Sequence, residues 1–148
     1  MLVLMITLGL LAGVLLPLQA GINNPLRAAL GSPILTSLVT FAMGALALLV
    51  YAVAVRLPVP PLATLAKVPV GTWIGGGLCG AGFLSLVVFL GPRLGAGTVF
   101  ALVVAGEMAM SLFLDHYGML GFPSHALHLG RLVGALFLIG GVILIHRF

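Results

Sequence analysis

Five long apolar runs separated by short gaps leave this chain little choice but to fold inside a lipid bilayer. They cover residues 2–22, 33–55, 72–90, 96–114 and 129–145. A helix needs about 20 mainly apolar residues to cross a hydrocarbon core of roughly 30 Å, and each run approaches that length. The apolarity is continuous instead of alternating, which argues against a β-barrel. Every charged residue except Glu107 falls in or beside a gap. The gaps carry turn chemistry at Asn23-Asn24-Pro25, Pro58-Val59-Pro60-Pro61, Gly91-Pro92 and Gly121-Phe122-Pro123. With 62% hydrophobic and 5% charged residues, the chain has too few charges to cover a water-facing surface. The expected architecture is therefore an all-α integral membrane protein, with residues 1–148 forming one five-helix transmembrane domain.

The same arithmetic excludes a cytosolic enzyme, a disordered tail and a disulfide-stapled module. A single cysteine, Cys79, permits no internal disulfide. The excess of 6 Lys+Arg over 2 Asp+Glu reflects scarce acids and not a basic stripe, so nucleic acid is not an expected partner. The first run lacks a basic leading segment, and Leu18 stands where a signal cleavage site needs a small residue. It reads as a retained helix.

Loop charge normally orients a membrane protein, with Lys and Arg kept on the cytoplasmic side. With five crossings, the side holding Met1 receives Arg56, Lys67 and Arg131, and the opposite side receives Arg27, Arg93 and Arg147. The balance gives no orientation. It predicts insertion in both directions, with two copies meeting head to tail, or else one topology set weakly or by something outside this chain, such as an oppositely oriented homologous partner chain. An antiparallel pair of five-helix chains makes a ten-helix object of inverted repeats, a recurring basis for alternating access. A faint internal echo, Pro25-Leu26-Arg27 before Leu30-Gly31-Ser32 and Pro92-Arg93 before Leu94-Gly95-Ala96, lies on the side opposite Met1.

Helices in lipid associate by close backbone approach, which small residues permit. Gly9, Gly13, Pro17 and Gly21 recur every four residues, and Gly75, Gly76 and Gly80 mark a similar face in the third run. These glycines read first as packing surfaces. Trp73, Tyr51 and Tyr117 stand near run ends as interfacial anchors.

Glu107, near the middle of the fourth run, is the most informative residue. A carboxylate at that depth is costly and marks a substrate or ion path by default. Its bland alternative is a hydrogen bond that glues two helices. Ser111 and Asp115 follow on the same helical face and draw a polar line, and a possible proton path, toward the Met1 side. In an antiparallel homodimer the two Glu107 side chains would meet near the midplane, where repulsion favours one shared proton that a cationic permeant can displace. Gln19 and Asn23 share a face one turn apart and are candidates either for substrate contact or for capping backbone beside Pro17 and Pro25. Thr36, Thr40 and Ser85 are expected to bond back to their own helices. His116, His125 and His128 make too small a ligand set for an expected metal site, no cofactor is expected, and no nucleophile is tied to Asp115-His116.

The order of features resembles the YdcZ-like family, small five-helix members of the drug/metabolite transporter superfamily. The matching pieces are Pro17-Leu18-Gln19-Ala20 with Asn23 and Leu26, Gly31-Ser32, Phe41 with Gly44, and Trp73 with Gly75-Gly76. They continue with Pro92-Arg93-Leu94-Gly95-Ala96, Ala105-Gly106-Glu107, Asp115-His116-Tyr117-Gly118 and Arg131 with Gly134. Glu107 departs from the Gln that such members carry, and Trp73 stands alone where they cluster tryptophans. The resemblance implies a bacterial inner-membrane location and transport through a two-chain assembly, and it implies no substrate. The expected function is a secondary transporter, an exporter of a small molecule or metabolite coupled to protons, with Gln19, Asn23, Glu107 and Ser111 lining its cavity. A dual-topology ion channel and a non-catalytic subunit of a membrane complex are the alternatives. An intramembrane enzyme is not expected.

Overall fold

The computed structural model describes residues 1–147. Those residues are helical apart from short connections, in the order α1 (Leu2–Leu30), α2 (Pro33–Ala54), α3 (Leu62–Leu65), α4 (Val70–Leu94), α5 (Ala96–Tyr117), a 3₁₀ turn (Met119–Gly121) and α6 (Leu129–Arg147). Four helices, α1, α2, α4 and α5, are long and apolar enough to cross a membrane, and the fifth expected span is a shorter apolar helix, Leu129–Ile145. Five apolar helices thus stand where five runs predicted them.

The ends differ from the expected ones, and the difference has a physical cause. Asn23-Asn24-Pro25 does not end the first helix, which runs on to Leu30 with Pro17 and Pro25 inside it. Gly91-Pro92 does not end the third span either, since α4 carries Pro92 within it and stops at Leu94. A proline forfeits one hydrogen bond, whereas a break in lipid would strand several backbone groups, so the helix continues through. The turns fall on glycines instead. Gly31 adopts φ 66°, and its N–H donates to Arg27 O. Ser32 then caps α2 by accepting from Leu35 N, with Pro33 in the first turn. Gly95, at φ 79°, opens α5.

The chain divides into two compact units, Met1–Pro92 and Arg93 onward. In the first, the most buried side chains of α1 and α2 are polar: Asn23, Thr36 and Ser37. Leu84, Val87 and Val88 are the buried positions of α4. Ser85 does not bond back to its own helix; its hydroxyl donates to Ser37 Oγ at 3.2 Å and ties α4 to α2. The Phe41 ring covers Gly80, where an added Cβ would come within 3.2 Å of it. Hydroxyl links and a ring on a glycine are what hold helices where hydrophobic burial supplies little driving force. In the second unit α5 and α6 form a hairpin, with Ile145 against Gly97 and with Val99 and Leu112 buried.

Candidate functional site

Glu107 stands on α5 about 16 Å along the axis from Ala96, close to the helix midpoint. It is exposed in the chain, and no hydrogen bond or ion pair engages it among the described residues. The helix continues without a break from Glu107 to Asp115, so Ser111 and Asp115 share its face over about 12 Å. Ser111 Oγ donates to Met108 O at 3.0 Å and is itself exposed. A charged carboxylate at membrane depth is costly unless water or a partner group meets it.

Asp115 is not a free acid at the end of that line. Its carboxylate accepts from the Arg131 guanidinium, an ion pair joining the last turn of α5 to the first turn of α6. The surrounding loop reinforces the clasp. His125 N donates to Asp115 O at 2.7 Å, and Ser124 Oγ donates to His116 O at 3.4 Å. Gly118 closes α5 at φ 60°, with Ser124 packed against the position of a missing Cβ. Sequence alone does not pair Arg131 with Asp115. The available signal was one acid and one base flanking a single short loop on one side of the membrane.

The pair is partly exposed, 36% at Arg131 and 22% at Asp115, so it is worth less than a buried one. Arg131→Gln and Asp115→Asn are each expected to destabilise the purified chain by about 1–2 kcal/mol, with a coupling of about 1 kcal/mol in the double variant. Thermal unfolding in detergent of both singles and the double measures this, and strictly additive losses would count against the pair.

The amides of α1 part company. Gln19 is exposed, whereas Asn23 is only 4% exposed. Thr40 Oγ1 lies 2.9 Å from Asn23 Oδ1 and 2.9 Å from Thr36 O. Thr36 Oγ1 in turn donates to Ser32 O at 2.9 Å, so both threonines do bond back to their own helix. Asn23 therefore joins α1 to α2 as well as lying on the face of Gln19. Ser37 and Ser85 open on a groove of about 410 Å³ lined otherwise by Ile34, Leu38, Leu78, Ala81 and Gly82. Clefts on α6 around Leu136, Phe137, Gly140 and Ile143 are apolar and offer a permeant no polar handle.

The glycine faces are open. At Gly9, Gly13, Gly21, Gly75 and Gly76 an added Cβ would meet nothing within 4 Å, and among the six expected packing glycines only Gly80 has a neighbour that close.

A family model described as "Putative inner membrane exporter, YdcZ" matches residues 4–144. No curated protein and no solved structure matches the chain.

Proposed function

The chain belongs to this family of inner membrane exporters and is a multi-pass inner membrane protein, and on that premise we propose that it is a proton-coupled secondary exporter of a small molecule, working as an antiparallel homodimer. The observation that carries the proposal is Glu107, a mid-helix acid exposed and unpartnered in the single chain. Facing lipid, it would cost on the order of 3 kcal/mol, which a water-filled cavity between two copies avoids. An antiparallel twofold axis in the membrane plane brings both copies of a midplane residue to one depth. There the two acids share a proton that a permeant displaces, and the returning proton drives release on the other side. Ser111, exposed one turn from Glu107 on α5, lines this cavity in this reading, and Gln19 and Asn23 are the candidates for substrate contact on α1.

Two further facts support a second copy. The open faces at Gly9, Gly13, Gly21, Gly75 and Gly76 leave room for close helix approach. With five crossings, the shorter α6 counted among them, the basic residues at helix ends and connections balance at three on each side.

Purified chain reconstituted into vesicles, with a panel of cationic and neutral metabolites and an imposed pH gradient, tests the proposal. Saturable uptake that collapses when the gradient is dissipated is expected. Ionic current without saturation would favour a channel instead.

A further inference from the structure

The unit Met1–Pro92 contains Arg27, Arg56 and Lys67 and not one Asp or Glu. Arg27 differs from the other two bases because it is half-buried, one turn from the buried Asn23 on α1. Its Nε is enclosed and unpartnered, as is Asn23 Nδ2. No hydrogen bond from its guanidinium is found among the described residues. We infer that Arg27, with Asn23 beside it near the Gly31 end of α1, is an anion site that takes a carboxylate or phosphate group.

The charge count carries the inference. A guanidinium brings five N–H donors and a full positive charge. The C-terminal end of α1, four residues ahead of Gly31, offers only about half a negative charge as a helix dipole. Of the two acids in the chain, Asp115 is engaged by Arg131 and Glu107 lies in mid-span. The enclosed donors point the same way. Thr40 has one hydrogen for its two neighbours at 2.9 Å, so turning the Asn23 amide over would let Nδ2 donate to Thr40 Oγ1 and leave Oδ1 as the enclosed atom. Even so, the four Nη hydrogens and the charge find no acceptor among the described residues. Planar, bidentate recognition of a carboxylate or phosphate is what such a fork is suited to.

Two sources can supply that chemistry. The 29 residues of α1 make a helix of about 43 Å against a hydrocarbon core of roughly 30 Å, so its Arg27 end reaches the level of lipid phosphates. A permeant bearing an acidic group is the other source, since Asn23 is a candidate for contact with the transported molecule. Only this second source rests on the proposed transport reading.

The test uses the full chain in a neutral maltoside detergent. Its thermal unfolding midpoint is followed while sodium phosphate is added against sodium chloride of equal ionic strength. The wild type is expected to show a saturable rise with phosphate only. Arg27→Gln should weaken half-saturation by at least tenfold. Asn23→Asp, which places a carboxylate one turn before Arg27 and supplies the missing partner within the chain, should also remove the response while keeping the helical circular dichroism. Phosphatidylglycerol in mixed micelles then separates the sources. Lipid occupancy predicts half-saturation at least tenfold below free phosphate and competition between the two, and a soluble occupant predicts that phosphatidylglycerol neither binds at Arg27 nor competes. A midpoint that follows ionic strength alike in both salts, or an undiminished phosphate response in Arg27→Gln or in Asn23→Asp, overturns the inference. Loss of pH-driven flux in Glu107 variants that still respond to phosphate would leave it standing, since binding and transport are read separately.

Discussion

Glu107→Gln is expected to lose at least about 100-fold of the flux driven by a pH gradient in reconstituted vesicles, a size in line with losing a group that carries the transferred proton. Glutamine keeps the length and the hydrogen-bonding capacity of the side chain but holds no exchangeable acid proton. The exposed position on α5 means that neither variant breaks an observed contact, so a folding defect is not expected. Glu107→Leu should go further, losing flux while gaining stability, because it removes the repulsion between two acids held at one depth in the cavity. Stability that rises as activity falls is the signature of a residue retained for work and not for packing. Full pH-coupled flux in Glu107→Gln would remove the proton role. A loss of stability in Glu107→Leu would turn the residue into glue.

The second large effect concerns orientation. Leu62→Arg with Thr64→Arg places two further charges on exposed positions of the short helix α3, on the side that five crossings would share with Met1. The balance moves from three against three to five against three, enough to orient a chain with such short loops. This variant alone should be labelled from one face only and should lose at least about tenfold of the flux, since an antiparallel pair can no longer form in number. Two arginines appended after Phe148 bias the chain the other way. Co-expression of the two oppositely biased chains is expected to restore flux. Full flux from the first variant alone, with labelling from one face, would contradict the antiparallel pair.

The apolar helices were legible because each needs only a long apolar run, and that signal survives any error at the ends. Their termini were less so. Proline weighs heavily in sequence reading, yet Pro17, Pro25 and Pro92 all sit inside helices, because lipid makes a broken helix costlier than a missing hydrogen bond. The glycines that turn the chain, Gly31 and Gly95, lie six and three residues beyond those misleading prolines Pro25 and Pro92. Back-bonding was legible at Thr36 and Thr40 from their helical context, but Ser85 found Ser37 on another helix, a pairing no local pattern announces. The polar face through Glu107, Ser111 and Asp115 follows from helical periodicity alone. The engagement of Asp115 by Arg131 required knowing how the 118–128 loop folds back onto α5.

The account rests on water reaching Glu107, and one labelling measurement tests that directly. In a Cys79→Ser background, Glu107→Cys and Leu48→Cys are compared in sealed vesicles, Leu48 being an apolar residue exposed on α2. Each is treated with a membrane-impermeant thiol reagent and, separately, with a lipid-soluble one. Reaction of Glu107→Cys with the impermeant reagent, from both faces and with Leu48→Cys inert, is the predicted result. Modification of Glu107→Cys by the lipid-soluble reagent alone would place that position against the bilayer and contradict the account.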